Sequence, residues 1–404
     1  MISNTDSERT RSAVTVSEHP DDSNLSVAHS SVLPIPELQG LRAAGCCLVF
    51  LAHVLVLIFP ERFMGSIDTC AGELFARAVI GFFILSGLVL SLPYVGEEKT
   101  TFHTGRFFRQ RFLRLYPAYL VSLLSALGMR AAMSRWVGFS NSSPWVQRFW
   151  TEPITGRSLL EHVLALSITS RNINPVYWTL SLEIQVCLLF PLIIFLVRRT
   201  RHWAFALVPI VALTVLFHYF PQIALIRTVS YVLMGAYVAK HNSRLKTFMR
   251  NLPAAVVLGA VVLTIAFFWL APTSSVSYRL SFLVLDGGLA VLMVAVQAFR
   301  PLAMLANLRL VQRFAELSYC FYLFHLPILA ACAVGLRPVV QSAPLTIFAA
   351  FSLSLLVASA AHKFVEQPMR AFPKSRGSSK STREFAVPTI VISERSAAAS
   401  KTRA

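Results

Sequence analysis

Long apolar runs occupy most of the chain, and polar residues gather between these runs and at both ends. A helix needs about 20 mainly apolar residues to cross a bilayer, and ten runs come close to that length. They lie at residues 38–60, 72–95, 112–133, 176–197, 203–220, 223–239, 252–271, 280–299, 316–335 and 344–365. A shorter run at 158–170 predicts a helix on the membrane surface. The pattern therefore predicts an all-α, polytopic integral membrane protein with about ten transmembrane helices.

Basic residues are concentrated in alternate loops between the apolar runs. Loops rich in Lys and Arg face the cytoplasm in most membrane proteins. The basic loops fall around residues 99–111, 198–201, 240–250 and 300–313, and the loops poor in basic residues at 61–71, 221–222, 272–279 and 336–343. An even number of spans with both termini in the cytoplasm satisfies this alternation.

The two ends of the chain differ from the rest in composition. Residues 1–35 are rich in Ser, Thr and Asp and predict a disordered cytoplasmic tail, without the apolar segment of a signal peptide. Residues 371–404 predict a disordered basic tail. The membrane domain is expected between them, over residues 36–370.

Composition supports a membrane protein and argues against a soluble enzyme. Of 404 residues, 55% are hydrophobic and 14% are charged, whereas a soluble domain carries about 25% charged residues. The net charge of +18 is interpreted as cytoplasmic loops facing anionic lipid rather than as nucleic-acid binding. The six cysteines show no CxxC or Cys/His metal spacing, so no metal site is predicted.

Ionisable side chains inside a membrane span are costly and mark candidate functional sites. Arg42 and His53 are eleven residues apart, about three turns, so they share one face of the first helix. With the amino terminus inside, Arg42 lies near the cytoplasmic surface and His53 in the outer half of the bilayer. A snorkelling arginine and a structural histidine are the alternative interpretation.

Two further candidates lie on the third and fourth runs. Arg111 and Arg114 share a face at the cytoplasmic end of the third run and can grip phosphate, or alternatively anchor lipid headgroups. Glu183 is expected at the depth of His53, where a carboxylate beside an imidazole suits proton transfer or simply braces two helices. His325 lies mid-membrane on the ninth run.

Six further residues complete a predicted substrate pocket, and they are Ser86, Gly87, Tyr177, Trp178, Ser181 and Arg227. In the alternative interpretation, Arg227 neutralises Asp286 and takes no part in the pocket.

Taken together, these motifs resemble the membrane-bound acyltransferase family 3, whose members modify bacterial surface sugars, antibiotics and nodulation signals. The resemblance covers about residues 36–370 and rests on the order and spacing of its motifs. These are Glu-Leu-Gln-Gly-Leu-Arg at 37–42 with a histidine eleven residues on, Phe-Phe-x-Leu-Ser-Gly at 82–87, Arg-x-x-Arg-x-x-Pro at 111–117, Trp-Thr-Leu-Ser-Leu-Glu at 178–183 and Tyr-Leu-Phe-His-Leu-Pro at 322–327.

The resemblance implies an enzyme of the bacterial inner membrane. It would transfer a short acyl group, such as acetyl, from acyl-CoA to a hydroxyl of a sugar or glycan-like acceptor, with no permanently bound cofactor. Arg42, Arg111 and Arg114 would bind the donor. His53 would act as general base or transient acyl carrier, with Glu183 orienting it. His325 would be a second proton relay.

Two points stay open at this stage. The family often has an aromatic residue after Gln185, where this chain has Val186, which leaves the acceptor's shape undefined. A proton-coupled transporter or flippase for a sugar or lipid-linked sugar is the alternative function. A transporter does not require the arginine pair at 111 and 114 in line with His53.

Overall fold

Helices form nearly all the regular structure in the part of the chain that the computed structural model describes, and no strand occurs there. The predicted tails fall almost wholly outside the described residues. The described residues are 35–60, 70–97, 100–139, 142–166, 171–200, 208–213, 216, 219–220, 223–270 and 276–371.

Twelve helices are named here in chain order. They are α1 (Pro36–Ile58), α2 (Cys70–Val95), α3 (Thr104–Trp136), α4 (Pro144–Trp150), α5 (Gly156–Val163), α6 (Tyr177–Arg199), α7 (Ala224–Arg250), α8 (Ala254–Leu270), α9 (Val276–Ala298), α10 (Arg300–Ala306), α11 (Arg309–Ala331) and α12 (Ala343–Ala361). Helix α11 continues through a π-helical turn (Cys332–Leu336) into Arg337–Val340, and α12 through a second one (His362–Glu366) into Gln367–Ala371. Residues 208–213 are also helical.

Six helices in the described part are long and apolar enough to cross a membrane. A seventh span results if the end of α9 and α10, which meet at a bend of 91°, count as one. The predicted all-α membrane class is therefore confirmed, but the count of ten spans is not. Half of the predicted run at 203–220 lies outside the described residues, α7 is interrupted by charged residues, and α8 has 17 residues.

The third helix begins earlier than the apolar pattern predicts. Helix α3 starts at Thr104 rather than near residue 112 and has 33 residues, so it is about 50 Å long and exceeds the hydrocarbon core. Arg111 and Arg114 consequently lie about 10 and 15 Å along the helix. Both arginines therefore lie within α3 and not at its first residues.

Helices α2 and α7 cross with their backbones in contact at two glycines. A Cβ atom on Gly87 would lie 2.1 Å from the Val232 carbonyl oxygen, and one on Gly235 would lie 2.0 Å from the Ile84 carbonyl oxygen. Small residues permit such close approach of membrane helices. The role of Gly87 is thus helix packing.

The buried apolar residues form two large clusters. One is built mainly from α2, α6, α7 and α9. The other is built from α3, α11, α12 and the segment between α3 and α6. Helix α1 contributes to both, and Phe82 and Tyr322 pack against both. The candidate site lies at this junction.

Candidate functional site

A cavity of about 120 Å³ opens between α1, α2, α3, α6 and α11. Phe82, Phe83 and Leu115 are among its apolar wall residues. Its polar lining is Arg42, Ser86, Arg111, Arg114, Thr179, Glu183, Ser318, Tyr319 and Tyr322. Three arginines therefore face a single carboxylate, which leaves two surplus positive charges in an otherwise apolar surrounding.

The one carboxylate in the cavity is bound to an arginine. Arg111 Nη2 donates to Glu183 Oε1 at 2.6 Å, with side-chain exposures of 11% and 26%. The predicted contact between Glu183 and His53 is therefore wrong. The start of α6 lies opposite the middle of α3, since the Tyr177 hydroxyl hydrogen-bonds to the Ser122 hydroxyl. Glu183, about 9 Å further along α6, therefore reaches Arg111. A carboxylate withdrawn from water pairs with the cation it meets.

The other two arginines have no anionic partner among the described residues. Arg42 Nη1 donates only to the Gln39 amide oxygen, at 3.1 Å. Arg114 lines the cavity and makes no hydrogen bond or ion pair in the described part of the chain. Half-buried guanidinium groups without counter-charges are costly, and planar donors of this kind favour phosphate or carboxylate. The cavity is thus suited to an anionic ligand.

The two predicted histidines lie in direct contact at the junction of α1 and α11. His325 Nδ1 lies 2.7 Å from the Tyr322 carbonyl oxygen, and since a carbonyl only accepts, this nitrogen carries the proton. His325 Nε2 then has a lone pair, and it lies 3.1 Å from His53 Nδ1. His53 Nδ1 also lies 2.9 Å from the Val49 carbonyl oxygen, so it carries a proton that both acceptors share.

This chain of hydrogen bonds determines which nitrogen of His53 can act as a base. With Nδ1 protonated, the lone pair of the His53 ring resides on Nε2. If Nε2 takes up a proton, Nδ1–H still donates to His325, which stabilises the imidazolium. His325 therefore provides the orientation that was predicted for Glu183.

Aromatic rings surround the histidine pair and connect it to the cavity. Trp145, from the segment between α3 and α6, lies edge-on to His53 with ring centroids 5.8 Å apart. Tyr322 lines the cavity, contacts the His325 ring at 5.7 Å, and its hydroxyl lies 2.8 Å from the Thr179 hydroxyl. Tyr322 and Thr179 belong to recognised motifs but were assigned no role. Trp145 carries no local signal in the sequence.

Of the predicted pocket residues, only Ser86 lines this cavity. Gly87 occupies the α2–α7 crossing, and the Tyr177 hydroxyl hydrogen-bonds to the Ser122 hydroxyl at 2.7 Å.

The remaining three predicted pocket residues also lie outside the cavity wall. Trp178 packs against the Arg171 guanidinium, 5.6 Å from the ring centroid, and Ser181 is buried. Arg227 donates to the Tyr231 hydroxyl and is within electrostatic range of Asp286.

Comparison with known proteins identifies the class of enzyme. The sequence model of the acyltransferase 3 family, described as an acyltransferase domain, matches residues 35–363. The chain belongs to this family, and its long helices are apolar enough to cross a membrane. This membership favours the acyltransferase interpretation over the transporter alternative.

A curated relative supports the same assignment. Acyltransferase MdmB of Streptomyces mycarofaciens is 30% identical over 171 residues, which cover 42% of this chain and 41% of the relative. The match thus spans about two fifths of the relative's length. No solved structure matches the chain.

Proposed function

We propose that this protein transfers a short acyl group from acyl-CoA to a hydroxyl of a sugar or glycan-like acceptor, in the bacterial inner membrane. The observation that carries the donor assignment is the excess of positive charge in the cavity. Arg42 and Arg114 have no counter-charge there, and the phosphates of CoA would supply one. The acyl-pantetheine arm would extend along the apolar wall towards Tyr322.

The histidine pair supplies the proton transfer in this proposal. The acceptor hydroxyl gives its proton to His53 Nε2 while its oxygen attacks the thioester carbonyl carbon. The tetrahedral intermediate then expels the CoA sulfur, which takes the proton from His53. Throughout, His53 Nδ1–H donates to His325, 3.1 Å away. Both nitrogens return to their starting state at the end of the cycle.

The donor assignment is tested at Arg114, because its removal leaves no buried partner unpaired. Arg114→Ala is expected to weaken acyl-CoA binding about ten- to hundredfold, the worth of a charge-assisted hydrogen bond. Arg114→Lys keeps the charge without the planar fork and should restore part of the affinity. Binding is measured by calorimetry on the purified full-length protein in detergent.

The control is Arg135→Ala, which removes an exposed arginine from the far end of the same helix and should bind acyl-CoA normally. Equal affinity of Arg114→Ala and the parent protein would contradict the donor assignment. The acceptor is sought by mass spectrometry of surface glycans from cells with and without the gene.

A further inference from the structure

The end of α12 carries an ion pair that the sequence analysis did not predict. Arg370 donates to Glu366 Oε1. Glu366 is fully buried, and its other oxygen lies 2.8 Å from His362 Nδ1 and 3.2 Å from Cys320 Sγ. His362, Glu366 and Arg370 recur every four residues along the π-helical turn and short helix that continue α12, a spacing that is visible in the sequence.

The contacts around Glu366 hold Arg370 in place. Three possible metal-ligand atoms, from Cys320, His362 and Glu366, lie within 4.8 Å of one another. However, both carboxylate oxygens already accept hydrogen bonds, and the second nitrogen of His362 lies 3.1 Å from the Gln367 side chain. A buried carboxylate with all its partners satisfied is a rigid support for the arginine it binds.

Arg370 lies on the arginine side of the cavity. The turn containing Glu366 and the short helix containing Arg370 both pack against α3, the helix of Arg114. Arg370 is also within electrostatic range of Arg42 and of Arg114. Its side chain is 39% exposed, so a ligand can reach it from outside.

The charges in this region do not balance without a ligand. Glu183 pairs with Arg111 and Glu366 with Arg370, so two carboxylates serve four arginines. Glu183 and Glu366 are within electrostatic range of Arg42, and Glu366 of Arg114, but the group as a whole keeps two positive charges in excess. A further anion among these arginines would offset that excess.

The size of the cavity indicates where a large donor would extend. About 120 Å³ is less than the roughly 300 Å³ at which pockets begin to enclose drug-sized ligands. A donor with a nucleotide can therefore place only part of itself inside the cavity. The phosphates are then expected where Arg42 and Arg114 line the cavity or just outside it.

We propose that Arg370, positioned by Glu366, joins Arg42 and Arg114 to bind the nucleotide phosphates of the acyl donor at the arginine side of the cavity. This inference rests on the proposed acyl-CoA function and names the part of the donor that α12 recognises. It assigns a binding role to the end of α12.

A truncated donor separates phosphate binding from structural support. Acyl-pantetheine has the same thioester as acyl-CoA but none of its phosphates. Arg370→Gln is expected to raise the KM for acyl-CoA about tenfold, the loss of one charge-assisted contact, and to leave kcat/KM for acyl-pantetheine unchanged. Arg370→Lys should recover part of the loss.

A second variant controls for destabilisation of the fold, since Arg370→Gln leaves Glu366 buried without its cation. The double variant Arg370→Gln with Glu366→Gln keeps the local charge balance and should show the same selective loss for acyl-CoA. The control Arg309→Gln removes an exposed arginine that makes no ion pair in the described part of the chain, and should leave both donors unaffected.

The outcomes distinguish this inference from the proposed function. An equal fall for both donors, or no change in the KM for acyl-CoA in either variant, would overturn the role of Arg370. If the parent protein uses neither donor, the proposed acyl-CoA function fails instead.

Discussion

The contact between His53 and His325 is the central residue-scale feature of this enzyme. One backbone carbonyl sets the tautomer of His325, and His325 sets that of His53. In the proposed mechanism, a neutral imidazole takes the place that a carboxylate has in many catalytic dyads. An imidazole adds no negative charge to an apolar surrounding, which lowers the cost of burying the pair.

The two histidines are expected to respond differently to substitution. His53→Ala removes the proposed base and should slow acyl transfer at least about a hundredfold, with acyl-CoA binding intact. His325→Phe keeps an aromatic ring but removes the acceptor, so turnover should fall with unchanged binding. His325→Gln returns an acceptor oxygen and should recover part of the rate.

Single-turnover transfer, normalised to folded protein, measures these effects. Normal turnover in a well-folded His53→Ala variant would rule out the proposed base. An acylated His53 peptide found by mass spectrometry after acid quenching would show that the ring acts as nucleophile rather than as base.

Among the helices, the alignment of α6 against α3 decided which residues meet in the site. The first turns of α3 are polar, Thr-Gly-Arg-Phe-Phe-Arg-Gln-Arg at 104–111, so an apolar pattern locates only the later, lipid-compatible part of the helix. The hydrogen bond between Tyr177 and Ser122 places the start of α6 opposite the middle of α3. Glu183, six residues after Tyr177, then lies beside Arg111 and pairs with it instead of with His53.

The α2–α7 crossing predicts a position-specific effect of adding one methyl group. Gly87→Ala would place its Cβ 2.1 Å from the Val232 carbonyl oxygen, so the helices must separate and thermal unfolding in detergent should shift markedly downward. Gly81→Ala on the same helix meets no atom within 4 Å and should be neutral or stabilising by up to about 1 kcal/mol. Similar melting of the two variants would show that the crossing is not tight.

The short helix α5 carries a pH-sensitive residue outside the candidate spans. His162 is buried, its Nδ1 donates to the Ser158 carbonyl oxygen at 2.7 Å, and its Nε2 has no hydrogen-bond partner. Burial lowers the pKa of the His162 imidazole, an effect that the Ser158 carbonyl only partly opposes. The folded segment therefore keeps His162 neutral at a pH where the unfolded segment binds a proton.

Stability of this segment should consequently decrease as pH falls below the ordinary histidine pKa of about 6.5. The protection factors of residues 142–166, which are exchange rates corrected for the pH dependence of the intrinsic rate, are expected to be lower at pH 5 than at pH 7. His162→Gln cannot titrate and should abolish the difference. Protection factors that are independent of pH in the parent protein would contradict this assignment.

At the scale of the whole molecule, the site lies where two apolar clusters meet. Its charged residues come from helices distant in sequence, so the cavity exists only when all five helices have assembled. The uncompensated arginines gather at one end of the cavity and the histidines lie beyond Tyr322. This layout matches a donor that enters with its phosphates last and its thioester first.

Membrane orientation provides the whole-molecule prediction. If both termini are cytoplasmic, a cysteine at exposed Arg244, in a basic region, should resist an impermeant thiol reagent in intact cells. A cysteine at Val339, 79% exposed between α11 and α12, should react. Cys47 is exposed and must first be replaced. The reverse pattern of labelling would invert the orientation.

The sequence by itself determined the membrane class, the helical content and the family, and it marked His53, His325 and the arginines at 42, 111 and 114 as candidates. These features are local, because the bilayer demands long apolar helices and because ionisable residues stand out within them. Only the tertiary structure decided that Glu183 pairs with Arg111, that His53 contacts His325, and that the end of α12 lies beside the arginines. Such pairings depend on how far each helix is shifted along its axis and rotated about it, which a one-dimensional pattern of apolar and polar residues does not encode.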